Sequence, residues 1–342
     1  MKQRKDGRWV RKITLPDGTV KFFYSSADTE KKAIKDIEQQ LITYSQQKES
    51  ELLLENIADK WAEEHLPQIG YNTACKYNNC LGKIKDFFHG MFIAEIESAD
   101  VDLFLKHLAK KNYAKDTVAI NKSVLSQIFN YAIYNRFVKV NPVNFVELPK
   151  GLTQEIREPA TPEEIQIILK SVDKHFGLYA YMAVLTGMRR EELLGLTSND
   201  IDFERCEIDI NKVVIFVNNQ PQIKEPKTQK SKRRIFLPDA LVPYLKGKQG
   251  YIFGKGDTPM SLTAFRRAYD RYRKETGLTV TSHQLRHAYA TMLYDAKVDV
   301  KTAQNQLGHS KASTTQDIYT HIWEGRQQKQ MNKMNKYIQK IL

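Results

Sequence analysis

Apolar residues recur along this chain with two different periods, and the change of period marks its parts. Residues 8–13 and 19–24 carry short β-branched and aromatic runs on either side of Leu15-Pro16-Asp17-Gly18, a turn-forming tetrapeptide. That pattern predicts two strands joined as a hairpin. Asp28 or Thr29 then caps a predicted helix that runs to about residue 47. From residue 51 to 148 the period is helical. Leu53, Ile57, Trp61 and His65 fall at four-residue steps, and Ile120, Val124, Ile128, Tyr131 and Ala132 make a second apolar face. Residues 98–101 and 114–117 have the composition of helix starts. Asn141-Pro142 is expected to end the last helix, because the residue before a proline is pushed out of the helical region. A bundle of roughly four or five helices follows from this spacing.

Pro149, Gly151 and Pro159 then punctuate a linker. After it, Thr161-Pro162-Glu163-Glu164 places a capping hydroxyl, a proline at the first helical position and a glutamate three residues after the cap. Predicted helices cover residues 162–174 and 176–185. Residues 207–217 and 234–237 are apolar and β-branched and are predicted to be strands, with a basic loop at 224–233 between them. Helices resume near Leu262 and continue to the end. Met331, Met334, Ile338, Ile341 and Leu342 form an apolar stripe on an otherwise polar tail helix. The fold class expected is α+β and multidomain. A small β-hairpin and helix unit occupies residues 1–50, a helical domain 51–150, and a linker 151–160. A mainly helical domain with a small antiparallel sheet and a C-terminal tail helix occupies 161–342.

Charge changes the picture more than composition does. The net charge is +13, which favours polyanionic partners, nucleic acid above all. Lys2, Arg4, Lys5, Arg8, Arg11, Lys12 and Lys21 gather on the predicted hairpin. A basic sheet of this kind can enter a DNA groove, although a solubilising appendage would look the same. The longest apolar stretch, residues 178–185, is too short to span a bilayer. The basic start MKQRKDGRW has no apolar region behind it, so a cytoplasmic location with no membrane partner is expected. Cys75, Cys80 and Cys206 form neither a disulfide framework nor a zinc-type pair, and no metal is expected.

The last domain holds four clusters of side chains suited to phosphate. They are Thr186-Gly187-Met188-Arg189 with Glu192 following, Pro226-Lys227-Thr228, His283-Gln284-Leu285-Arg286, and Leu307-Gly308-His309 followed by Tyr319. Each alone is ordinary: a helix cap, a surface loop, a solvated helix face. Together they provide what phosphodiester cleavage without a metal needs. Two guanidinium forks match the non-bridging oxygens, a lysine can protonate a leaving oxygen, and histidines donate to phosphate or carry protons. A tyrosine, with an ordinary pKa of about 10, is a poor nucleophile without such neighbours.

In order and spacing these clusters resemble the tyrosine recombinase, or phage integrase, family. The first-arginine motif of that family is similar to Thr186-Gly187-Met188-Arg189 through Leu196, its β-hairpin lysine to Lys227, and its His-x-x-Arg box to His283–Arg286. Its second histidine is similar to His309 in Leu-Gly-His-Ser, and its nucleophile to Tyr319 in Asp317-Ile-Tyr-Thr-His321. The likeness runs by motif over residues from about 160 to 325 and by domain order over the whole chain.

The resemblance implies attack by Tyr319 on the scissile phosphate, a 3′-phosphotyrosyl bond, and no cofactor. Arg189 and Arg286 would clamp the phosphate with His309 as a further donor. Lys227 would be the general acid, and His283 would assist proton transfer. Glu192 would orient the arginines or His283 from behind. Lys224, Lys230 and Lys232 share the loop of Lys227, and Arg190 adjoins Arg189; the Thr-Gly-x-Arg frame favours Arg189. The first unit resembles an arm-type DNA-binding domain and the second a core-binding domain, which implies integration and excision of a phage or conjugative element. The implied partners are double-stranded DNA at core and arm sites, three further copies in a homotetramer on DNA, and accessory DNA-bending and excision proteins. Arg8, Arg11, Lys12, Lys230 and Arg233 are the expected DNA contacts. A helix-turn-helix regulator without catalysis, read over residues 300–318, and a type IB topoisomerase-like enzyme are the rival readings.

Overall fold

The computed structural model describes the chain except for residues 5, 15–19, 155–157, 227–231, 310 and 342, and leaves undescribed also the side chains at 45–51, 321–330, 332, 333, 336 and 340. It divides into two compact units, Met1–Glu155 and Ile156–Leu342.

In the first unit, β1 (Lys2–Gln3), β2 (Trp9–Thr14) and β3 (Val20–Ser25) form an antiparallel sheet, followed by α1 (Glu30–Glu51). The strands lie one residue later than their predicted bounds, and the predicted turn at 15–18 falls outside the described residues. Arg11 stands opposite Phe23 and Lys12 opposite Phe22. Successive strand residues point to opposite faces, so these two cations are separated. Arg11 shares the face of buried Phe23, and α1, which packs on β3, buries Ala33 and Ile37. Lys12 shares the open face with Phe22 and Tyr24, and Arg8 leans over the Tyr24 ring while its guanidinium pairs with Asp6 at 2.8 Å.

The helical part comprises α2 (Leu54–His65), α3 (Tyr71–Phe87), α4 (Ser98–Lys110) and α5 (Lys115–Tyr134). Their apolar faces meet in one core that includes Ile57, Trp61, Ile84, Phe104 and Ile128. Helix α5 ends at Tyr134, earlier than the expected stop at Asn141-Pro142. The cause is Arg136, whose φ of +61° takes the chain into the left-handed region. Asn141 instead caps a short 3-10 turn at Pro142–Phe145.

The second unit opens with α6 (Pro162–Lys170), capped by Thr161 with Glu164 closing the reciprocal bond, as its composition predicts. Helices α7 (Gly177–Thr186) and α8 (Arg190–Gly195) follow. The predicted strand at 207–217 is two strands. After β4 (Ile201–Asp202), β5 (Glu207–Ile210) pairs with β8 (Arg233–Phe236), whereas β6 (Val213–Val217) pairs with β7 (Gln220–Lys224). The break falls at Asn211-Lys212, whose side chains turn to Asp200, the lysine at 2.6 Å. Helix α9 (Val242–Leu245) and a small hairpin, β9 (Gly254–Lys255) with β10 (Thr258–Pro259), precede α10 (Leu262–Thr276). Then come α11 (Ser282–Asp295), α12 (Val300–Leu307) and α13 (Ala312–Ile341). The core gathers α7, α8, the strands, α10 and α11. On α13, Met331, Met334, Ile338 and Ile341 are exposed, and Leu342 lies outside the described residues. No described helix is long and apolar enough to cross a membrane.

Candidate active site

Three segments, the α7–α8 corner, β8 and α11, each send an arginine to the C-terminal end of α12. Gly187 ends α7 with φ +61°, and a Cβ there would lie 2.2 Å from the Tyr289 ring, so only glycine fits. Its carbonyl accepts a hydrogen bond from Arg286 Nη1 at 2.7 Å. Two residues on, Arg189 stands at the N-cap of α8, and Glu192 folds back on it. Glu192 Oε2 accepts from the Arg189 backbone N–H and Oε1 from Arg189 Nη1, each at 2.8 Å.

A helix leaves its last carbonyls without partners and carries partial negative charge there. At the end of α12 three consecutive carbonyls are taken by three arginines. Gln306 accepts from Arg233 Nε at 3.0 Å, Leu307 from Arg286 Nη2, and Gly308 from Arg189 Nη2 at 2.9 Å. Gly308 has φ +64°, and a Cβ on it would meet the Arg233 guanidinium at 2.7 Å. The turn delivers His309, whose backbone N–H donates to the Gln304 carbonyl at 3.1 Å and whose Nδ1 lies 2.8 Å from the Thr315 hydroxyl. With Thr315 donating, the ring proton sits on Nε2.

The electrostatics follow from this crowding. Burial, then the charges of Arg286, Arg189 and Arg233, hold the His309 pKa down to about 4, so the ring is neutral at pH 7. Burial and Arg189, with Arg233 adding and Glu192 opposing, pull Arg286 down to about 9, where it is still charged at neutral pH. Three guanidiniums face one carboxylate, and the surplus of positive charge suits an anion. Arg189, His283, Arg286 and His309 all line one cleft of about 590 Å³, with Arg190 and Ser282 beside them. His283 Nε2 lies 3.0 Å from His287 Nε2, so one of the two rings supplies the shared proton.

Of the residues singled out in the sequence, Arg189, His283, Arg286 and His309 are therefore together. Glu192, expected to orient the arginines or His283, bonds Arg189 and Arg233. Lys227 and Lys230 lie outside the described residues. Arg233 is corrected: expected in a loop against DNA, it lies in β8 with its side chain 6% exposed. Strand alternation is the signal that would have found this, since Arg233 shares a face with buried Ile235 while Arg234 and Phe236 point out.

Tyr319 does not line the cleft. It is 9% exposed, its ring meets Tyr294 edge-on at 5.1 Å, and its hydroxyl donates to the Val298 carbonyl at 3.4 Å. Tyr294 lies eight residues beyond Arg286 on α11, about 12 Å along the helix axis. Burial and the nearby Asp299 charge push the phenol pKa up, the wrong direction for a nucleophile.

Comparison with known proteins points to one family. Residues 160–326 match the Phage integrase family. The ICEBs1 integrase of Bacillus subtilis (strain 168) is 28% identical over 274 residues, 74% of each chain. The tyrosine recombinase XerC of Lacticaseibacillus casei (strain BL23) is 30% identical over 256 residues, 70% of this chain and 81% of that one. Among solved structures, the Tn1549 transposon integrase in complex with a circular intermediate DNA superposes with a TM-score of 0.68 at 22% identity, covering 78% of this chain and 95% of that one. A lambda integrase dimer bound to a COC′ core site gives 0.58 at 19% identity over 93% of each. At such identities the two structures speak for the fold.

Proposed function

The chain belongs to the phage integrase family, the tyrosine recombinases, and is a site-specific DNA recombinase; from that premise we propose that Tyr319 is the nucleophile and the α12 cleft its phosphate site. Tyr319 Oη attacks the scissile phosphorus, a P–O bond to tyrosine forms, and the bond to the 5′ oxygen breaks. Lys227 protonates the leaving 5′ oxygen. A 5′ hydroxyl from a partner duplex then reverses the exchange, so the bond energy is retained. Arg189 and Arg286 clamp the non-bridging oxygens, His309 donates through Nε2, and His283, paired with His287, moves the nucleophile's proton. The observation that carries this reading is the convergence of two arginines and two histidines on one cleft with a net positive charge. Fixed donors aimed at developing charge supply most of the rate enhancement in many enzymes. A helix-turn-helix regulator would leave that convergence without a purpose.

The relatives named for ICEBs1 and Tn1549 support integration and excision of a mobile element as the biological outcome. Residues 1–50 would bind arm sites through the open face of the sheet, with Arg8 and Lys12, while Arg11 reaches DNA only past the sheet edge. Residues 51–150 would hold the core site. A lambda integrase tetramer bound to a Holliday junction supports a homotetramer on DNA, and DNA-bending and excision proteins would set direction. Such work places the protein in the cytoplasm.

The test is trapping on nicked DNA that carries the core site. Wild type is expected to leave a covalent protein–DNA adduct, and Tyr319→Phe to bind the same DNA and leave none. An adduct with Tyr319→Phe rejects the nucleophile assignment.

A further inference from the structure

Arg233 lies outside the cleft, yet it touches both halves of the machinery around it. Its Nη1 and Nη2 meet Glu192 Oε1 and Oε2 at 2.9 and 3.0 Å, a two-pronged contact between side chains 6% and 2% exposed. Glu192 spends its other lone pairs on Arg189, one on the backbone N–H and one on Nη1. The Arg233 Nε donates to Gln306, one residue before the carbonyl that holds Arg286 and two before the one that holds Arg189. Its guanidinium also fills the space where Gly308 has no Cβ, directly before His309. One side chain from β8 therefore sets the position of the carboxylate that aims Arg189 and of the helix end that carries His309.

We propose that Arg233 is a positioning residue for strand cleavage: by bridging Glu192 to the C-terminus of α12 it fixes Arg189 and His309 in the geometry that receives the charge of the transition state. It acts through these groups and touches no DNA. The inference rests on the reading of Tyr319 as nucleophile and of the cleft as its phosphate site. Only the planar fork can satisfy both carboxylate oxygens and the Gln306 carbonyl together, so a lysine, one ammonium on a flexible stem, cannot replace it.

The experiment compares wild type, Arg233→Lys and Tyr319→Phe as full-length chains on nicked core-site DNA. It measures DNA affinity, the single-turnover rate of adduct formation and the melting temperature. The same rates are read on DNA with a methylphosphonate at the scissile position, where a neutral methyl replaces one charged oxygen and the clamp has less charge to hold. Arg233→Lys is expected to bind within about threefold of wild type, to cleave roughly 100-fold more slowly on the phosphodiester, and to recover to within about threefold of wild type on the methylphosphonate. The size of the loss follows the usual effect of displacing one transition-state donor. Equal cleavage rates overturn the proposal. So does a rate loss of the same size on both substrates, which marks general structural damage, and so does a loss confined to affinity, which makes Arg233 a DNA contact. Arg233→Ala, should it fold, is expected to regain rate with millimolar guanidinium, and Arg233→Lys carries the test by itself if it does not. If wild type leaves no adduct, the nucleophile reading fails; if wild type does and Arg233→Lys matches it, only the positioning role of Arg233 fails.

Discussion

Glu192 decides the balance of charge at the site. Burial alone would raise its pKa, but the hydrogen bonds and charge of Arg233, with the charge of Arg189 added, bring it down to about 2. Such a carboxylate stabilises the fold above its unfolded value, about 4.5, and that contribution is lost as pH falls towards 2. His309 adds an earlier step. Its folded pKa of about 4 is below its ordinary 6.5, so the unfolded chain takes the proton first and stability declines as pH falls from about 6.5 through 4. Melting temperatures measured against pH are expected to decline in these two stages, with His309→Asn flattening the first. An unchanged slope in that variant would count against a buried neutral imidazole. Glu192→Ala strips buried Arg233 of its counter-charge and is expected to cost about 3–5 kcal/mol in urea unfolding. Arg189, His283, Arg286 and His309 are legible in the sequence because each sits in a short run with its own spacing. Arg233 is hidden in a run of basic residues, and its partner lies 41 positions away.

At the scale of elements, the end of α12 organises the cleft. Gly308→Ala would put a side chain at φ +64° and against the Arg233 guanidinium. The left-handed backbone costs about 1–2 kcal/mol. Gly277 ends α10 at φ +72° with open space around it, so Gly277→Ala carries the backbone cost alone. Denaturation is expected to show a loss for both, and adduct formation on nicked DNA to slow only for Gly308→Ala; equal rates would separate the helix end from the chemistry. The helix starts next to Thr161 and Glu97 are legible because their reciprocal caps are local, whereas the start at Lys115 has no side-chain cap. The split of 207–217 is not, since it depends on β5 choosing β8 and β6 choosing β7, pairings made by residues distant in sequence. Similarly, a left-handed residue at Arg136 stops α5 where no proline or glycine announces it.

Across the whole molecule, a charge of +13 predicts that contact with DNA releases many counterions. Affinity for core-site DNA is expected to fall by roughly 10³-fold between 50 and 200 mM salt, as for a protein that neutralises several phosphates; a shallow dependence in a binding titration would contradict it. Family and fold class are legible from the order of motifs and the change of hydrophobic period. The resting place of Tyr319 is not, because spacing cannot tell which way α13 turns its side chains. That place has a consequence for the cell that hosts the protein. Charge draws such a chain to any stretch of chromosome, and a reactive phenol already poised at the clamp would break strands wherever it landed. On the proposal that Tyr319 is the nucleophile, a hydroxyl lodged against Val298 and a ring against Tyr294 would let the chain search a genome unarmed, with incision waiting on a movement that brings Tyr319 to the cleft.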